Sequence, residues 1–292
     1  APARAQPTMP LILKPVEASR GTRWIADAWR VFRKRPLGFM GLFGVFLFSS
    51  LLVSLVPLLG PVVQMMALPL LGLGFMIAAQ AALLDGNVHP RCFIEPLRTD
   101  AQRRRTLLTL CAMYGFFALV ILAAGDWMSG GAWGRLQRAM AEGSAAQAEV
   151  DAILAEPGVG SGALFVLVAG TLLTIPFWHA PALVHWGGQA VGQSLFSSTL
   201  AVWRAKGAFV VYFLGWLASV TLFALASALL LGLLGQPQLA GLVGIPAGLV
   251  LSAVFYISLL FTFNDSFGGS PVQAEAAPPA PGGDGDAPSP PA

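Results

Sequence analysis

Three histidines are the side chains whose type could support metal binding or proton transfer: His89, His179 and His185. The last two lie in the run IPFWHAPALVHWGGQ, close to one end of a long apolar stretch. A metal site would need the three rings to converge, and no carboxylate or cysteine stands at a ligand spacing to complete it. Interfacial histidines beside Trp178 and Trp186 are the simpler interpretation. The sequence therefore predicts no metal site.

Two prolines, Pro176 and Pro181, flank His179 within this run. Each lacks the amide proton that would donate to the carbonyl four residues earlier in a helix. A freed carbonyl is costly in lipid unless a neighbouring group or water satisfies it. We therefore predict a kink within residues 174–183, with His179 facing the protein interior. Pro176, His179, Pro181 and His185 form the candidate ligand site, with a simple packing irregularity as the alternative.

No other motif points to catalysis. The sequence contains no GxSxG, HExxH, Walker-type GK[ST] or GxGxxG in a strand context, and no paired catalytic carboxylates. Its two cysteines, Cys92 and Cys111, form no CxxC pair and indicate no disulfide framework. We expect no catalytic residues, no cofactor and no enzymatic activity.

The elements that hold these residues are predicted to be membrane helices. Apolar residues make up 56% of the 292 residues and charged residues only 11%, which is too little charge to cover a water-facing surface. Six runs without Asp, Glu, Lys or Arg are long enough to cross a membrane, the first being too long for a signal peptide: residues 37–58, 62–84, 107–124, 163–184, 208–234 and 239–263. We predict an all-α polytopic protein with six transmembrane helices in three hairpins.

The distribution of cations predicts the orientation. With six spans, all of the 17 Lys and Arg residues except Arg135 and Arg138 fall on one face. That face is predicted to be cytoplasmic, with both termini, in a bacterial inner membrane. Reporter fusions at Gly143 and Ala292 are expected to read periplasmic and cytoplasmic respectively. The net charge of +3 is no nucleic-acid signature, because the cations lie beside apolar runs.

Short basic amphipathic helices are predicted before spans one and five, and they look alike. Apolar residues recur at helical spacing in both, and each ends in cations and a helix breaker. We predict a parallel repeat relating residues 22–84 to 193–263; the alternative is two unrelated interfacial helices of similar composition. Anionic lipid headgroups are the expected partners of Trp24, Trp29, Arg33, Lys34, Arg35, Trp203, Arg204 and Lys206.

The remaining segments complete the domain organisation. Residues 1–20 are predicted to be a flexible N-terminus, and residues 21–267 the membrane domain. A periplasmic insertion at 126–160 has helical apolar spacing and is predicted to form one or two short amphipathic helices. Residues 268–292 are rich in Pro, Gly and Ala and are predicted to be disordered.

Two stretches carry a family resemblance: KPVEASRGTRWIADAWRVFRKRPLGFMGLFGVF and LVPLLGPVVQMMALPLLGLGFMIAAQAALLDG. They resemble a family of uncharacterised proteobacterial integral membrane proteins. The layout is also similar to the membrane domain attached to some bacterial glycerophosphodiester phosphodiesterases. This resemblance implies only an architecture, and its motifs contain no catalytic residues to transfer to this chain. The sequence contains no phosphodiesterase domain.

Two functions remain open at this point. The first is a non-enzymatic inner-membrane protein that binds lipids or membrane partners, including a second copy of itself. The alternative is a transporter or exporter of a small apolar or amphipathic substance, using the broken fourth helix and its histidines. An intramembrane enzyme is disfavoured, because no nucleophile–base or metal constellation is present.

Overall fold

The computed structural model describes residues 12–56, 59–98, 100–142 and 147–268. Within these ranges every regular element is helical and no strand occurs. The α-helices in chain order are α1 (Arg20–Lys34), α2 (Pro36–Ser54), α3 (Leu59–Leu83), α4 (Ala101–Met128), α5 (Ala132–Glu142), α6 (Gln147–Leu154), α7 (Pro157–Phe177), α8 (Ala180–Gly187), α9 (Val191–Arg204), α10 (Lys206–Leu233) and α11 (Ala240–Phe267). Short 3-10 turns lie at Pro90–Phe93, Glu95–Arg98 and Pro237–Leu239.

Six of these helical segments are long and apolar enough to cross a membrane, which confirms the predicted all-α, six-span class. Five are single helices, and the fourth, Pro157–Gly187, combines α7 and α8. The helix that contains the third predicted span, α4, starts before that span, at Ala101, so Arg103–Arg105 lie in its first turns. Asp100 explains this start, because its carboxylate accepts the Arg103 backbone N–H at 2.9 Å as an N-cap.

Helix α3 lies at the centre of the bundle. It packs against α2, α4 and α11, and its second half is almost entirely buried from Leu71 to Ala79. Glycine permits a close approach to α4, since a Cβ at Gly115 would lie 2.4 Å from a side-chain carbon of Met66. The long apolar run of α3 is therefore a core helix rather than a lipid-facing one.

Helix α1 packs its apolar face onto the protein rather than into lipid. Gly21 lies so close to α10 that a Cβ there would be 2.3 Å from the carbonyl oxygen of Ala208. Trp24 is fully buried, with its ring centroid 5.3 Å from that of Phe209 and 5.7 Å from that of Tyr212. The prediction that Trp24 contacts lipid headgroups is therefore wrong, because α10 and α11 cover this face of α1.

An ion pair holds the start of α1 against the end of α11. Arg20 donates through Nε and a terminal nitrogen to the two carboxylate oxygens of Asp265, at 2.6 and 3.0 Å. The indole Nε1 of Trp24 donates to the same carboxylate at 2.7 Å. The hydrogen bonding of Arg20 to the Asp265 carboxylate raises the pKa of Arg20 above its usual value.

The chain before α1 is also attached to α11. The backbone N–H groups of Ile12 and Lys14 donate to the carbonyls of Phe267 and Ser266, at 3.2 and 2.9 Å. Helix ends leave such carbonyls without intrahelical partners, so the N-terminal segment satisfies them. The predicted flexible N-terminus of residues 1–20 is thus too long, because Ile12, Lys14 and Arg20 are hydrogen-bonded to α11. Residues 1–11 and 269–292, with the predicted tail, lie outside the described part.

The insertion forms the two short helices that its apolar spacing predicts, α5 and α6. They pack against each other over a small apolar cluster of Ala132, Leu136, Ile153 and Val159. Asp126 fixes the entry into α5 by accepting the backbone N–H of Gly134 at 2.8 Å. Residues 143–146, which include the predicted periplasmic position Gly143, are outside the described residues.

The two segments compared as a repeat share one element order, a short helix followed by two spans: α1–α2–α3 and α9–α10–α11. The short helices are used differently. Helix α1 buries its apolar stripe, whereas α9 buries the small polar face of Ser194 and Ser198 and exposes Phe196 and Trp203. Whether the two units superpose as a parallel repeat, and the division into three hairpins, stay predictions.

Candidate functional site

The fourth span is interrupted where the two prolines predict it. Helix α7 ends at Phe177 and α8 begins at Ala180, with Trp178 and His179 in a bend between them. His179 is fully buried, so its side chain faces the bundle. The predicted kink and the inward orientation of His179 are both confirmed.

A serine from α9 fills the gap in the helical hydrogen bonding. The hydroxyl of Ser198 donates to the carbonyl of Ile175 at 3.1 Å and accepts the backbone N–H of His179 at 3.0 Å. In an unbroken helix these two groups, four residues apart, would bond directly to each other. The Ser198 hydroxyl is inserted between them, which is one of the known causes of a sharp helix bend.

A threonine from α11 binds the two side chains of the bend. Thr262 Oγ1 donates to its own helix at the carbonyl of Leu259, 2.8 Å away. The same oxygen accepts Trp178 Nε1 at 3.2 Å and lies 3.2 Å from His179 Nε2. Because the single hydroxyl proton is already engaged, His179 is assigned the tautomer protonated at Nε2. Its Nδ1 is buried without a hydrogen-bond partner among the described residues.

His185 does not join this cluster. Its ring is buried against Trp186, and its backbone carbonyl accepts a hydrogen bond from Arg103 at 3.1 Å. His89 is exposed in the connection after α3. Within the described ranges, no three His, Cys, Asp or Glu side chains form a group that could hold a metal ion. The four candidate residues thus lie on one segment, but only the bend itself forms a polar cluster.

An apolar cavity of about 200 Å³ opens beside the bend. Trp178 lines it from the bend, and the neighbouring ends of α7 and α8 contribute Phe177 and Pro181. Helices α3, α4 and α11 supply the other walls. Its polar groups are few: the hydroxyls of Tyr114, Thr174 and Tyr256 and the Trp178 indole. The remaining lining is apolar: Leu68, Pro69, Gly72, Leu73, Met76, Phe177, Pro181, Ala182, Phe255 and Leu259. Such a concave apolar site with few polar groups is typical of small-molecule binding sites.

One curated relative is similar along almost the whole chain. It is a protein of Burkholderia thailandensis named a probable inner membrane protein, with 32% identity over 267 residues. The alignment covers 91% of this chain and 96% of the relative. The chain belongs to this family of inner membrane proteins. No family model and no solved structure matches it.

This finding agrees with the resemblance to uncharacterised bacterial integral membrane proteins. The likeness to the membrane domain of glycerophosphodiester phosphodiesterases stays a prediction. The six apolar helices and the relative's name together make the chain a multi-pass inner membrane protein. The cytoplasmic placement of both termini also stays a prediction.

The remaining predicted headgroup residues of this inner membrane protein lie at or near the surface. Trp29 is half-buried against Phe32, and Arg33, Lys34 and Arg35 are exposed. Trp203 is 69% exposed, and Lys206 Nζ lies 5.1 Å from its ring centroid, within cation–π range. Arg204 is also exposed. Their exposure permits contact with lipid headgroups, and that contact stays a prediction.

Sequence reasoning missed four residues that build the site: Ser198, Thr262, Tyr114 and Tyr256. Hydroxyl groups inside otherwise apolar helices are the only signal that could have identified them, since such groups often bond to neighbouring helices in lipid. The signal is weak, because a hydroxyl can bond to its own helix instead, as Thr171 does with Leu167.

Proposed function

We propose that this protein is a non-enzymatic inner-membrane protein that binds the apolar part of a membrane lipid in the cavity beside the span-four bend. The observation that carries the proposal is the apolar, aromatic lining of that cavity. Among the described residues that line the cavity, none carries a carboxylate, an imidazole or a thiol, so its three hydroxyls, on Tyr114, Thr174 and Tyr256, have no such base beside them in the lining to activate them.

The size of the cavity limits the ligand. At about 200 Å³ it is smaller than the pockets of about 300–1,000 Å³ that hold drug-sized molecules. A single acyl chain or one flat apolar ring fits this scale better than a whole lipid. The aromatic walls of Tyr114, Phe177, Trp178, Phe255 and Tyr256 suit either ligand, since they offer large rigid contact areas.

A transporter is the second candidate, supported by the meeting of a broken helix and a cavity at Trp178 and Pro181. Broken membrane helices form substrate sites in many transporters. The apolar lining favours an apolar or amphipathic substance over an ion or a sugar. Binding is the simpler proposal, because it requires only the cavity.

The test uses the full chain in detergent and a fatty acid that carries a photoreactive diazirine near its chain end. After irradiation, peptide mass spectrometry should locate the label on the cavity walls of α3, α4 or α11. Leu68→Trp should reduce this labelling several-fold by filling the cavity. Leu172→Trp is the matched control, because Leu172 is 61% exposed on α7 and does not line the cavity.

The proposal would be refuted if Leu68→Trp had a normal helical spectrum and its cavity walls were labelled as strongly as those of the wild type. Labelling restricted to the exposed faces of α2 and α10 would refute it as well. Transport is distinguished by reconstituting the protein in vesicles that contain a fluorescent fatty acid. The transporter would be favoured if the protein moved the fluorescent fatty acid across the bilayer and Leu68→Trp abolished this movement.

A further inference from the structure

A basic groove lies at the corner where α1 meets α2. Helix α1 ends at Lys34, Arg35 adopts a non-helical conformation, and α2 begins at Pro36. The groove has a volume of about 490 Å³ and is shallow. We name it the corner groove; its lining residues are Lys34, Arg35, Pro36, Leu37, Gly38, Asn87, Val88 and His89.

Asp85 positions both cations of the corner groove. Its carboxylate accepts Lys34 Nζ at 3.1 Å, and its backbone carbonyl accepts a terminal nitrogen of Arg35 at 3.2 Å. Because Asp85 is exposed, this ion pair is weak and its cation remains available to a ligand.

The backbone at Asp85 is unusual. Its φ of 57° makes it the only non-glycine residue with a positive φ among the described residues. It occupies the left-handed position that ends α3, where Gly86 donates back to Ala81 at 2.8 Å, and glycine is the residue usually found there. An aspartate here adds backbone strain that a glycine would avoid, and it places a carbonyl and a carboxylate against the two cations.

An apolar strip continues from the corner groove along α2. Leu37 is 86% exposed at the rim of the groove. One and two turns further along, Gly41 and Gly44 have no atom within 4 Å of the position of an added Cβ. The spacing of these three residues puts them on one face of the helix. The surface below the cations is therefore flat and apolar, with room for a chain lying along it.

We propose that the corner groove binds the headgroup of an anionic phospholipid, with an acyl chain lying along Leu37, Gly41 and Gly44. The two cations and the one carboxylate around the groove leave one net positive charge, which matches a singly charged phosphodiester headgroup. Since α2 begins here as a membrane span, the cations lie where a headgroup would lie. The inference rests on the lipid-binding part of the proposed function and uses a site separate from the cavity.

The experiment is native mass spectrometry of the full chain titrated with dioleoyl phosphatidylglycerol and, separately, with dioleoyl phosphatidylcholine. The wild type should prefer phosphatidylglycerol, and the preference should shrink as salt increases. The double variant Lys34→Gln/Arg35→Gln should lower the affinity for phosphatidylglycerol about tenfold. The control is Arg104→Gln/Arg105→Gln, which removes the same charge from exposed positions on α4 and should retain the preference.

A second pair of measurements distinguishes the lipid from its headgroup alone. Glycerol 3-phosphate should not displace phosphatidylglycerol at equal concentration, and Gly41→Leu/Gly44→Leu should weaken binding several-fold. Full displacement by glycerol 3-phosphate would overturn the proposal of a lipid site.

An unchanged preference in the corner variant, or an equal loss in the α4 control, would overturn it too. Leu68→Trp should leave the preference intact, so this site and the cavity can fail separately.

Discussion

Replacing Ser198 by alanine tests the account of the span-four bend most directly. Ser198 is fully buried, and its hydroxyl carries both the bond to the Ile175 carbonyl and the bond from the His179 N–H. Without the hydroxyl, the His179 N–H loses its partner, while the Ile175 carbonyl keeps only a long contact of 3.4 Å to the Trp178 N–H. An unsatisfied buried group costs about 1–3 kcal/mol.

Hydrogen bonds between membrane helices contribute less on average, about 0.6 kcal/mol and up to about 1.7 kcal/mol. We therefore expect Ser198→Ala to lower the free energy of unfolding by about 1–2 kcal/mol. A loss of 1.4 kcal/mol is a tenfold change in the unfolding equilibrium. The measurement is unfolding in mixed micelles with an increasing fraction of a denaturing detergent, followed by helical circular dichroism.

The matched control is Ser194→Ala in the same helix. Ser194 is equally buried, but its hydroxyl donates only to the carbonyl of Val191 in its own helix, at 2.9 Å. This variant should lose less than about 0.5 kcal/mol, since own-helix bonds of serine stabilise little. Equal losses in the two variants would refute the view that Ser198 supports the bend.

Three further predictions concern α1, the cysteine after α3 and the topology. Gly21→Ala should lower the free energy of unfolding by about 1–3 kcal/mol in the same detergent titration, because the added Cβ would approach the backbone of α10 to 2.3 Å. Gly170→Ala is the control and should leave it unchanged, because a Cβ there lies in open space. Burial raises the pKa of Cys92, so maleimide at pH 7–8 should label it more slowly in the folded protein than in the unfolded chain. Cys92→Ala is the blank, and equal labelling rates in the two states would contradict this prediction. Reporter fusions should read periplasmic at Gly143 and cytoplasmic at Ala292, and either opposite result would overturn the orientation.

The sequence alone determined the six spans and the place of the bend. In lipid a chain can satisfy its backbone groups only as helices or as a closed barrel, and these uncharged runs are much longer than a barrel strand, so composition and length were sufficient. The bend was equally predictable, because Pro176 and Pro181 lack amide protons whatever surrounds them. The buried orientation of His179 followed from the same argument about polar groups in lipid.

Tertiary structure decided which faces of the helices are covered. The stripes of α1 and α9 have similar spacing, yet Trp24 is fully buried by α10 and α11 while Trp203 is 69% exposed. An apolar side chain can be buried equally well by lipid and by protein, so the pattern cannot distinguish the two environments. The partners Ser198 and Thr262 and the cavity beside the bend arise from residues distant in sequence, and only the packing of α9 and α11 against the broken helix brings them together.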